Sequence, residues 1–73
     1  MTYELGLEPL LRLSVASSGP AENEALLRLM HGEGTAQDIT LAVGIAARIG
    51  DHTLATLIGS VLESAARGAR AIA

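Results

Sequence analysis

The sequence predicts an all-α domain, a small bundle of three to four helices whose last two form an antiparallel hairpin. Three observations carry this expectation. Ala and Leu, the strongest helix formers, dominate the chain, while its aromatics reduce to Tyr3 with no Phe or Trp. The alternating β-branched and aromatic positions that a β-sandwich of this length uses are therefore scarce. Apolar residues recur at three- and four-residue spacing along most of the 73 residues, and glycines, prolines and capping residues divide the pattern into segments of helical length. The expected helices cover about 9–17, 20–31, 36–49 and 52–70, within a single domain spanning 1–73.

Residues 1–7 are weakly specified, with Gly6 interrupting them. Pro9 suits a first helical turn, where its missing N–H costs nothing. Leu10, Leu11, Leu13 and Val15 then give one short apolar helix. Ser17-Ser18-Gly19-Pro20 closes it; Gly19 is expected at the left-handed position after the helix, and Pro20 cannot continue a helix already under way. Pro20 also reads as the first residue of the second helix, where Glu22 and Glu24 complement the positive end of the helix dipole. Ala25, Leu26, Leu29 and Met30 form its apolar stripe, and His31-Gly32-Glu33-Gly34 ends it with two glycines able to take positive φ.

The third helix opens on Thr35-Ala36-Gln37-Asp38, a capping box with Asp in place of the usual Glu. Ile39, Ala42, Ile45, Ala46 and Ile49 follow at helical spacing. Ile39, Leu41, Val43 and Ile45 also alternate as a strand would; the upstream cap and the stop at Gly50 decide for helix. Leu41 and Val43 then broaden the apolar face until little polar surface remains, which places this helix centrally or at an interface. Asp51 caps the fourth helix, in which Leu54, Ile58, Val61, Ala65, Gly68 and Ile72 step by four and three residues as a continuous seam. Leu57, Leu62 and Ala69 widen the seam. Gly59, Ser60, Ser64 and Ala66 leave a flank that another backbone could approach, and Arg67 and Arg70 sit near the negative end of the dipole.

A chain this short buries only about 60–65% of its unfolded surface and is marginal without reinforcement. Cys is absent and His31 and His52 are the only imidazoles, so neither a disulfide nor a structural zinc is expected. Oligomerisation is the remaining common reinforcement. The net charge is −3, every basic residue is Arg, and the longest stretch free of Asp, Glu and Arg, 52–62, has eleven residues. A membrane helix needs about 20. Glu4 and Glu8 stand where a secretion signal would carry basic residues. An acidic, cytoplasmic protein of bacterial or phage origin is expected, with no membrane partner.

No residue set points to catalysis or to a cofactor. Ser17, Ser18, Ser60 and Ser64 lie in no nucleophile elbow. Asp51-His52 reads as a cap followed by a first-turn histidine, and Gly32-Glu33-Gly34-Thr35 lacks the Lys-Ser/Thr ending of a phosphate loop. Neither histidine has a ligand partner three or four residues away, so no metal site is expected. A helix-turn-helix reading of 46–56 supplies a would-be recognition helix, Asp51-His52-Thr53-Leu54-Ala55-Thr56, without Arg, Lys, Gln or Asn to read base edges.

Val43-Gly44-Ile45-Ala46-Ala47-Arg48-Ile49-Gly50 followed by Asp51-His52-Thr53-Leu54-Ala55-Thr56-Leu57-Ile58 resembles the helix–turn–helix core of an ankyrin repeat. The likeness covers 16 of 73 residues. No second repeat flanks it, and a solenoid needs about three. What the resemblance implies is an antiparallel helix pair joined by a glycine turn.

Hydrophobic residues make up 49% of the chain and mean hydropathy is +0.39, a high value for so small a particle. Surplus apolar surface marks a contact site. The expected function is a non-enzymatic protein–protein interaction domain, an adaptor, inhibitor or small assembly subunit without small-molecule substrate. It is expected to form a homo-oligomer, a dimer in the first instance, or to bind another protein. The expected interface uses Ile39, Leu41, Val43, Ile45 and Ile49 of the third helix with Leu54, Leu57, Ile58, Val61, Leu62 and Ala65 of the fourth. A dimeric helix-turn-helix-like nucleic-acid-binding regulator is the alternative, and the acidic balance argues against it.

Overall fold

The computed structural model describes residues 2–72, with side chains described for residues 2–64. Among the described residues there are four helices and no strand: α1 (Leu7–Ala16), α2 (Gly19–Met30), α3 (Ala36–Arg48) and α4 (His52–Ile72). Each bound falls within two residues of its expected position.

Local chemistry sets these limits. The capping box is complete: Thr35 Oγ1 accepts from the Asp38 N–H at 3.2 Å, and Asp38 Oδ2 accepts from the Thr35 N–H at 3.0 Å. This cap commits 39–45 to helix over the competing strand alternation. α3 ends in a Schellman turn, in which the Gly50 N–H donates to the Ala47 carbonyl at 3.1 Å and the Asp51 N–H to the Ala46 carbonyl at 3.0 Å. Gly50 holds φ +78°, a region open to glycine at little cost. Asp51 then caps α4 by accepting from the Leu54 N–H at 3.0 Å. α2 stops in the same way, with the Glu33 N–H donating to the Arg28 carbonyl at 2.8 Å and Gly32 at φ +73°.

Two glycines act differently from expectation. Gly19 does take positive φ, at +82°, but it opens α2 instead of closing α1; α1 stops because Ser17 turns extended. Gly34 has no positive φ. Its need is space, because an antiparallel bridge pairs it with Tyr3, through Tyr3 N–H to Gly34 O at 2.8 Å and Gly34 N–H to Tyr3 O at 3.1 Å. A Cβ on Gly34 would lie 2.9 Å from Leu29 Cγ and 3.1 Å from the Tyr3 carbonyl oxygen. Gly34→Ala is therefore expected to cost about 1–3 kcal/mol through overpacking, read as a lower urea midpoint; an unchanged midpoint would show that the bridge can open without loss.

The N-terminal segment, unspecified by pattern, is thus tied down. Besides the Tyr3 bridge, the Leu5 N–H donates to the Leu29 carbonyl at 3.2 Å, and Leu5 enters the core. α3 packs against each of the other three helices. Its broad apolar face is consumed by this central position: Ile39, Ala42, Ile45 and Ala46 are all buried. Leu10, Leu13, Leu26, Leu29, Leu54 and Ile58 close around them. α3 and α4 form the expected antiparallel hairpin across the glycine turn.

Candidate docking surface

Of the eleven residues expected at an interface, Ile39, Ile45, Leu54 and Ile58 lie in the chain's own core. They cannot face a partner while the bundle is closed. Leu41 and Val43 are half-buried, and Val61 and Leu62 are half-buried against the core cluster. Ile49 and Leu57 are exposed. The Ala65 side chain lies outside the described residues.

A larger open apolar surface sits elsewhere, between α1 and α2. The two helices, joined across two residues, diverge enough to leave a groove of about 280 Å³ lined by Leu7, Leu10, Leu11 and Ser14 on one side and Asn23, Leu26, Leu27 and Met30 on the other. Leu10 and Leu26 form its buried floor. Leu7, Leu11, Leu27 and Met30 stand 64%, 57%, 53% and 43% exposed. Val15, farther along α1, is also exposed. A shallower dent of about 190 Å³ lies on the other flank of α1, formed by Glu8, Pro9 and Arg12 with Leu54 and Leu57. Sequence periodicity included Leu10, Leu11, Leu26 and Met30 but neither Leu7 nor Leu27, and it could not separate residues facing the core from those facing water.

Both ends of the groove are pinned. At one end the Leu5–Leu29 hydrogen bond and the Tyr3–Gly34 bridge hold the chain entering α1 against the end of α2. At the other, Arg48 of α3 reaches the elbow between α1 and α2. Its Nη1 and Nη2 donate to the two Glu22 carboxylate oxygens at 3.0 and 2.9 Å, and Nη2 donates to the Ala16 carbonyl at 2.8 Å. Glu22 also accepts from the Ser18 N–H at 2.7 Å. The Arg48 guanidinium and this backbone donor hold the Glu22 carboxyl down at about 2, so the clamp persists across ordinary pH.

The nearby charges lie off the groove. On the other flank of α1, Glu8 pairs with Arg12 at 3.0 Å, and Arg12 also lies 3.8 Å from Asp51. On the side of α2 that packs on α3, Arg28 is committed to buried Asp38 through two 2.8 Å hydrogen bonds, and Glu24 reaches Arg28 only at 3.9 Å. Residues 1–34, which build both walls, carry five glutamates and two arginines.

Among the described residues, no three His, Asp or Glu side chains come together as a metal site, and no helix is long and apolar enough to cross a membrane. Comparison with protein-family models, with curated protein sequences and with solved structures returned no match.

Proposed function

We propose that this chain is a protein-docking module that works through the α1–α2 groove and assembles with itself, without chemistry of its own. The groove is the observation that carries the proposal. Most apolar side chains of α3 and the first turns of α4 are spent inside the bundle, yet four large ones remain together and open to water on α1 and α2. Exposed apolar contacts of this kind stabilise a complex by releasing water when covered. A cleft between two antiparallel helices accepts a third helix, which seats residues at i, i+3, i+4 and i+7 between the leucine ridges. Residues 1–34, which build both walls, carry five glutamates against two arginines, a balance that favours a basic helix over an acidic one.

Methyl NMR tests this directly. On titration with a synthetic helical peptide of Ala, Leu and Arg, the resonances of Leu7, Leu11, Leu27 and Met30 are expected to move, while those of buried Leu13 and Ile45 stay in place. A Leu11→Glu/Leu27→Glu variant, altered only at exposed sites, is expected to keep its helical circular dichroism and lose the response. Absence of shifts at millimolar peptide would remove the docking role.

A further inference from the structure

Resting on the docking role of the α1–α2 groove, we infer that Arg48 is its positioning residue: one guanidinium, carried by the central helix, closes the end of α1 and the start of α2 together and so sets the angle between the two walls. The first observation is what α1 lacks. Its last turn has no basic residue, and Ser17 leaves it extended, at φ −67° and ψ 143°. The last carbonyls of a helix have no partner within the helix. Arg48 Nη2 supplies one from α3 by donating to the Ala16 carbonyl at 2.8 Å, and it brings a positive charge to the negative end of the α1 dipole.

α2 begins with the complementary need. Its N-cap Ser18 makes no side-chain cap bond, and the Glu22 carboxylate reaches back to accept from the Ser18 N–H at 2.7 Å. Arg48 Nη1 and Nη2 donate to both oxygens of that carboxylate, which fixes it beside the N–H. Most exposed ion pairs contribute little, the exceptions being two-point arginine–carboxylate pairs and networks. The Arg48–Glu22 pair is such an exception. Its bonds use a planar fork that a lysine ammonium does not reproduce.

Packing does not duplicate this tie. At the end of α1, Ser14 and Val15 face water, and Ala16 offers the core a single methyl group. The Ser17 hydroxyl lies 3.1 Å from the Ser14 carbonyl and 2.6 Å from Asn23 Oδ1, but its one proton serves one acceptor at a time. The base of Arg48, by contrast, is rigid. Ile45 and Ala46 are buried just before it, and the Gly50 turn closes its helix just after. The spacing of the walls at Ser14 and Asn23 is therefore referred to the middle of the bundle through this side chain.

Double electron–electron resonance tests the inference with no guest present. The chain has no Cys, so Val15→Cys on α1 and Glu24→Cys on α2, both at exposed positions, carry the only nitroxide labels. A narrow distance distribution is expected. Arg48→Met is expected at least to double its width while helical circular dichroism is kept. Arg48→Lys, the milder change, is expected to broaden it as well, and Ser17→Ala to leave it narrow. Unlabelled Arg48→Met should bind the peptide of Ala, Leu and Arg about fivefold more weakly than the wild type, because a loosened cleft must be ordered on binding. A width unchanged in both Arg48 variants would overturn the inference and leave the docking role to the wild-type titration. Broadening with unchanged peptide affinity would overturn it too, since the elbow would then not govern the groove. A peptide that leaves the wild type unshifted would remove the docking role instead, and the distances alone would decide whether Arg48 sets the angle.

Discussion

Leu29→Ala is expected to lower stability by about 3–5 kcal/mol, the range for emptying a rigid core site of one leucine. Leu29 is fully buried at the end of α2. Its surroundings cannot close over the gap. On one side lies Gly34, held by two backbone hydrogen bonds to Tyr3; the Leu29 carbonyl itself anchors Leu5. A domain of this size is held by only about 4–11 kcal/mol in total, so the variant retains a small margin or none. Its thermal midpoint should fall by roughly 12–25 °C or more, measured by circular dichroism. A drop under a few degrees would mean that the junction of the N-terminal segment with α2 is not part of the cooperative core.

Asp38→Ala is expected to cost about 2–3 kcal/mol. The side chain is buried, yet it carries two tasks: it accepts both Arg28 hydrogen bonds across the α2–α3 packing, and it closes the capping box on the Thr35 N–H. Removing it leaves that N–H unpartnered and deletes the Arg28 bonds, each worth about 1 kcal/mol or more, while the Thr35 Oγ1 cap on the residue-38 N–H remains. Arg28 is half exposed and turns to water, which keeps the loss below that of a fully buried pair. The same carboxylate predicts a pH dependence. Arg28 and the Thr35 backbone hold its pKa at about 2, below the ordinary value near 3.9 of an unfolded chain. Its stabilisation is thus fully present above about pH 4 and disappears as pH falls through about 2. The stability difference between wild type and Asp38→Asn should therefore be constant from pH 7 to 5 and shrink towards pH 2 in urea titrations. Glu22 is depressed equally in both proteins and cancels from the comparison. A difference that stayed constant to pH 2 would show that folding does not lower the Asp38 pKa, so that Arg28 does not stabilise its charge.

Much of this architecture is legible from local signals. The Thr35–Asp38 box, the Asp51 cap and the stops at Gly32 and Gly50 each involve residues within four or five positions of one another, so spacing alone predicts them. What spacing does not contain is the pairing of distant elements. Asp38 is visible as a cap but not as the partner of Arg28. Nothing in the spacing singles out Arg48, and only the fold carries it 26 residues back to Glu22. The broad apolar face of α3 pointed to either a central helix or an interface. It became central because α1, α2 and α4 all pack on it, which consumed Ile39 and Ile45 and left the surplus on α1 and α2. Counting apolar positions thus established that there was an excess, and only the packing showed where it went.

The bonds that hold α1 and α2 at both ends have a consequence for selectivity. A cleft whose width is set beforehand lowers the ordering cost of association, and encounter need not await a backbone rearrangement. It also cannot widen to admit a thicker guest. A helix bearing Phe or Trp on its inward stripe would be held off the leucines, while one built of Ala and Gly could seat fully. The distant Arg48, touching no part of the guest, would then act as the gauge that measures it.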